Sequence, residues 1–186
     1  MKKVIPILLV MVGLAFLAGG IYTTVRGFDA KAQVRAELIA QNITTPEDAA
    51  IPNARVDDAA TANAMANIIA VHASEATGGR TYAEMGRFLT PDGGDTSDEE
   101  AALKDEAGNP VANPLRNVAF QASSLQTSLH TSHMAFNVAD LVIGLGVFIA
   151  VVGLAVGGIG VALGALVRSN LARTFRVEPV AVRAAA

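Results

Sequence analysis

Leu141 to Val167 reads LVIGLGVFIAVVGLAVGGIGVALGALV, 27 consecutive positions without a charged side chain. As a helix it would extend about 40 Å, more than the roughly 30 Å hydrocarbon core of a bilayer, so it must tilt or protrude. Arg168, Arg173, Arg176 and Arg183 follow it directly. At the other end of the chain, Val4 to Tyr22 is a second uncharged run, of 19 residues, preceded by Lys2 and Lys3. It would span roughly 28 Å as a helix. A cleaved signal peptide is the competing reading of this run, since Ala30-Lys31-Ala32 has the small-x-small form of a cleavage site. Signal h-regions are usually about 7–15 residues, and the Ala-x-Ala lies well beyond the apolar run, so a retained anchor is expected. Basic residues flanking both runs on the same side place both termini in the cytoplasm under the positive-inside rule.

Composition agrees. Of 186 residues 52% are hydrophobic and 17% charged, and the mean hydropathy is +0.41. Charge is partitioned: Gly27 to Asp140 holds 16 Asp/Glu and 7 Lys/Arg, a net of −9, whereas the rest of the chain carries +6. The expected organisation is therefore an N-terminal transmembrane helix (1–27), an acidic extracytoplasmic helical segment (28–138), a second transmembrane helix (139–168) and a basic cytoplasmic tail (169–186). The expected fold class is all-α, a two-helix transmembrane hairpin with a small extracytoplasmic helical bundle, and the expected location is the plasma membrane. No Cys is present, which excludes disulfides, thiolate catalysis and Cys-ligated zinc or iron–sulfur clusters. The lack of Trp and an acidic exposed segment argue against nucleic acid, which needs a basic footprint.

Within 28–138 the apolar periodicity predicts a helix over 29–41, a second over 56–76 and a short third from the Thr81/Glu84 capping box through Leu89. Met65, Ile68, Ile69 and His72 would share the apolar face of the second, and Gly78-Gly79 would stop it. A loop is expected over 91–113, with a helical turn at 97–104. Asn113-Pro114 should start one helix running unbroken into the second span, with Leu115, Val118, Ala122, Leu125 and Leu129 as its apolar stripe. No alternating strand pattern is visible.

Three constellations are candidates for function. Gly146, Ala150, Gly153, Gly157, Gly160 and Gly164 recur at steps of 4,3,4,3,4, lining small residues along one helix face. Such faces let helices in lipid approach closely. The occupant would be the first span of the same chain, through Ala15 and Gly19, or a second copy or another membrane protein. Next, Gln126, His130, His133, Asn137 and Asp140 form a polar stripe. His130 and His133, with His72 and Glu75 from the second helix, are candidate metal ligands, two His and a carboxylate being a facial-triad donor set. A pH-responsive His pair is a further option; the other expectation is ordinary interhelical hydrogen bonding. Last, Asp92, Asp95, Asp98, Glu99 and Glu100 do not match calcium-loop spacing and read as a solvated loop. No catalytic residue and no cofactor is predicted.

Three segments carry a resemblance: QNITTPEDA at 41–49, AMANIIAVHASEATGGRTYAEM at 64–85, and QASSLQTSLHTSHMAFNVADLVIGLGV at 121–147. Together with the order of the spans, they resemble an actinobacterial family of two-pass membrane proteins without an established activity. The resemblance implies a membrane hairpin and little mechanism. Some relatives carry an aromatic ring-opening dioxygenase label. Extradiol chemistry of that kind would need an iron site in a substantial soluble domain, and this chain offers three His. The expected role is interaction or assembly, with the bilayer and a membrane-protein partner or second copy as contacts. A metal-dependent enzyme or a pH or metal sensor built on the His cluster is the alternative.

Overall fold

The computed structural model describes residues 4–174. Lys2, Lys3, Arg176 and Arg183 lie outside the described residues, as does the side chain of Arg173. The chain is mostly helical: α1 (Val4–Ala40), α2 (Ala59–Thr77), a 3-10 turn (Tyr82–Glu84), strands β1 (Phe88–Leu89) and β2 (Asp95–Thr96), and α3 (Pro114–Thr174). It divides into two compact units. One is made by α1 up to Asp29 and α3 from Ala139; the other is Ala30–Val138.

In the first unit, α1 and α3 are each long and apolar enough to cross a membrane. Their most apolar windows are only 17% and 11% buried, whereas the core helix of a soluble protein would be mostly covered. Leu8, Met11, Leu14, Phe148 and Leu154 are all exposed. Contiguous apolar surface on this scale has no stable contact with water; hydrocarbon is the solvent that suits it.

The two helices run antiparallel with their backbones in contact. A Cβ added at Gly13 would lie 2.5 Å from the Gly157 nitrogen, and one at Gly153 would lie 2.6 Å from the Gly13 carbonyl oxygen. Gly20 faces Ala150 and Gly146, Gly27 faces Ile143, and Gly160 faces Pro6 and Val10. Pro6, Gly13, Gly20 and Gly27 are buried at every seventh position of α1, opposite buried Ala139, Gly146, Gly153 and Gly160 on α3. A seven-residue repeat of contact residues keeps one seam facing the partner helix. Ala15 and Gly19, expected to line this contact, do not. Both are exposed, and Gly19 has nothing within 4 Å of a Cβ. The pair lies off the heptad line, turned away from α3.

The second unit has a small core of Leu38, Val56, Ala62, Ala66, Leu129 and Phe136, with Val34, Ile43, Met65 and Ile69 packed against it. α1 stops where Asn42 turns left-handed at φ 52, a conformation Asn tolerates at helix ends. Thr45, 1% exposed, then pins the following turn: its hydroxyl donates to the Ile51 carbonyl (2.5 Å) and accepts from the Ala54 amide (2.9 Å). α2 begins at Ala59 rather than 56, because the Asp58 carboxylate caps it, accepting from the Thr61 amide at 2.8 Å. It ends as expected on left-handed Gly78, with the Gly79 amide bonded to Ser74 oxygen at 2.7 Å.

Three local expectations need correction. The Thr81/Glu84 capping box forms, but the helix it starts is a single 3-10 turn, because Phe88–Leu89 pairs antiparallel with Asp95–Thr96. The 91–113 segment is not a plain loop and 97–104 is not helical. Bridges Phe88↔Ala112 and Lys104↔Pro110 knit it to β1 and to itself. Gly86 permits this knot, since a Cβ there would meet the Thr96 backbone at 2.5 Å. On α3 the buried line is Ala119, Ala122, Leu129 and Phe136, whereas Leu115, Val118 and Leu125 are exposed.

Candidate functional site

The glycine stripe is the most regular feature of the sequence, and its buried members, Gly146, Gly153 and Gly160, are covered by α1 of the same chain. Ala150, Gly157 and Gly164 flank that seam and are half-buried. Thr24, the polar side chain beside it, donates its hydroxyl to the Gly20 carbonyl of its own helix at 2.8 Å. Among the described residues, no buried side-chain polar atom is left without a partner.

The three histidines do not meet. His133, half-buried on α3, bonds through Nδ1 to the Ala59 carbonyl at 2.9 Å, while its Nε2 lies 3.1 Å from the Asn137 amide nitrogen. A carbonyl can only accept, so Nδ1 carries the proton and Nε2 is the acceptor in the neutral ring. His133 thus ties α3 to the first turn of α2. His72 sits 13 residues further along α2, roughly 20 Å at helical rise, and contacts the Asp48 carboxylate at 2.7 Å. That bond holds the Asp48 pKa below the usual carboxylate value. His72 is exposed rather than on the apolar face, where Ala62, Ala66 and Ile68 take its place. His130 and Glu75 are also exposed. Among the described residues, no three His, Asp or Glu side chains converge as metal ligands would.

The acidic run contains one residue that solvation does not explain. Asp95 accepts from the Gly86 amide at 3.0 Å, pairs with Arg80 at 2.7 Å and receives the Asn113 side-chain amide at 3.3 Å. The Gly86 amide first, then Arg80 and Asn113, hold its carboxyl below the ordinary range. Asn113 is 4% exposed and joins three elements. Its nitrogen serves Asp95 and the Gly86 carbonyl (3.0 Å), and its oxygen caps α3 at the Leu115 amide (3.1 Å). Asp95 therefore closes the β knot onto the start of α3.

Beside this junction lies a cavity of about 520 Å³ lined by Tyr82, Arg87, Ala112, Asn113, Pro114, Arg116, Asn117 and Phe120. The Tyr82 and Phe120 rings meet at 5.6 Å, and the Arg116 guanidinium lies 3.8 Å over Tyr82. Arg116 is fixed by its Nε donating to the Met85 carbonyl at 3.1 Å. Of the lining residues only Asn113 and Pro114 stand out in the sequence, as a helix start; Tyr82, Arg87, Arg116 and Phe120 do not. The one signal was Arg116 and Phe120 at i,i+4, which share a helix face; Tyr82 and Arg87 join them only through the knot. No protein family, characterised protein or solved structure matches this chain.

Proposed function

We propose that the chain is a two-pass membrane anchor that displays a small extracytoplasmic unit for interaction or assembly. Both termini lie in the cytoplasm and 28–138 faces outward. The observation that carries this reading is the seam between α1 and α3. Backbones in contact at Gly13, Gly20, Gly27, Gly146, Gly153 and Gly160 close the pair along its buried line, while the outer faces are apolar and exposed; the cleft at one end of the pair is lined by Pro6, Val10, Gly160, Gly164 and Arg168. Such a pair suits holding and display rather than conduction. The kinship with actinobacterial two-pass proteins belongs to the same proposal. The three segments that carry it include Thr45, most of α2, and Leu129 with Phe136, which build the second unit.

The chain has no native Cys, so single cysteines at Ser97 and Ser169 report topology cleanly. An impermeant thiol reagent applied to intact cells should label the first and not the second. Labelling of Ser169 alone inverts the orientation. A photocrosslinker at Ser97 in native membranes should then capture a second polypeptide. Stoichiometric iron or zinc in the purified protein would overturn the assembly role in favour of metal chemistry.

A further inference from the structure

We propose that the cavity at the start of α3 binds a small organic carboxylate with a compact apolar body, held by Arg87 and Arg116 against Tyr82 and Phe120. Its volume, about 520 Å³, falls within the roughly 300–1,000 Å³ typical of small-molecule sites. The lining combines an aromatic wall with a few polar groups, the composition such sites use.

The guanidinium groups are available for a ligand. Arg116 spends only Nε, on the Met85 carbonyl, so both terminal nitrogens keep their donors among the described residues. Stacking on Tyr82 and the Met85 bond hold it in place before any ligand arrives. The Arg87 guanidinium lies 5.7 Å from the Phe88 ring centroid, and among the described residues its side chain makes no hydrogen bond or ion pair; its backbone carbonyl accepts from the Asn113 amide. The neighbouring acids are committed elsewhere: Asp95 to Arg80 and Gly86, and Glu84 to Thr81. Two unneutralised guanidinium groups at one cavity in a net −9 segment are a local reversal of charge. The planar fork of an arginine matches a carboxylate through two parallel N–H···O bonds. The Tyr82 and Phe120 rings supply the surface for an apolar body, and the Asn117 amide borders the same cavity.

The inference goes beyond the anchor proposal, and its test does not use topology, so either can fail alone. The chain holds no Trp and two Tyr, Tyr22 and Tyr82. Tyr22→Phe therefore leaves Tyr82, in the cavity wall, as the single fluorophore. The full-length variant in detergent is titrated with cyclohexanecarboxylate, which does not absorb at the Tyr wavelength. A saturable change in emission is expected. Cyclohexylmethanol, which keeps the body and lacks the charge, and acetate, which keeps the charge and lacks the body, should each bind at least tenfold more weakly. Arg116→Gln should weaken cyclohexanecarboxylate at least tenfold. Should that variant lose its fold through the Met85 bond, Arg87→Gln, which removes no polar contact, carries the same expectation. An equal response to the alcohol, a non-saturable response, or undiminished binding in folded Arg87→Gln overturns the site.

Discussion

Replacing Gly13 by Ala tests whether the two apolar helices touch through their backbones. The new methyl carbon would lie 2.5 Å from the Gly157 nitrogen, 2.6 Å from the Gly157 Cα and 2.7 Å from the Gly153 oxygen. Non-bonded carbons settle at about 3.5–4.0 Å, so the helices must part by roughly 1 Å at that level. None of the three atoms belongs to a side chain that could rotate aside. Overpacking costs about 1–3 kcal/mol, and removing a helical glycine returns about 0.5–1 kcal/mol. A net loss of about 1 kcal/mol, and at most about 2.5 kcal/mol, is expected from these two contributions. Gly19→Ala on the same helix meets nothing within 4 Å, so it keeps the propensity gain alone, up to about 1 kcal/mol. Gly158→Ala, equally open, is the matching control on α3. Energy transfer between labels on cysteines at Ile5 and Ser169, followed while mild detergent is exchanged for dodecyl sulfate, reads the separation of the pair. The midpoint should fall for Gly13→Ala and hold or rise for the two controls. Equal midpoints for Gly13→Ala and Gly19→Ala would refute backbone contact and, with it, the observation on which the anchor proposal rests.

Two further outcomes bear on the second unit. Phe136, 1% exposed in the core with Leu38, Val56 and Leu129, should cost about 3–5 kcal/mol as Phe136→Ala, read as faster hydrogen exchange throughout α2; unchanged exchange would remove Phe136 from the core. Asp95 has its folded pKa depressed, so its contribution is fully present above the unfolded value of about 3.9 and is lost as pH falls through the folded one. Unfolding followed by Tyr82 emission in the Tyr22→Phe background should therefore weaken more steeply with acid in the parent than with Asp95→Asn added. Parallel acid limbs would mean that the Gly86 and Arg80 contacts of Asp95 do not form in solution.

Several features of this molecule follow from local chemistry alone. Uncharged runs at 4–22 and 141–167 dictate helices, because a backbone in hydrocarbon has only itself for hydrogen bonding. Gly78 after α2, left-handed Asn42 and Asn113 before Pro114 punctuate the outer segment by conformational preferences that need no distant partner. The small-residue stripe on α3 was legible for the same reason, as was the interhelical role among the readings of His133. Which residues meet across space was not. Period alone could not separate Gly13 and Gly20 from Ala15 and Gly19, since either set presents small side chains, and only the register with α3 selects one face. Leu115 and Leu125 look like core and are exposed, while Ala62, Ala66 and Ala122 fill it, because close helix approach favours the small residue over the more hydrophobic one. The β knot, the Asp95 junction and the cavity walled by Tyr82, Arg116 and Phe120 arise from pairings between residues up to 38 positions apart. Closing such loops costs chain entropy that only the assembled contacts repay, so those features exist in the tertiary structure, and the i,i+4 spacing of Arg116 and Phe120 is all that the sequence shows of them locally.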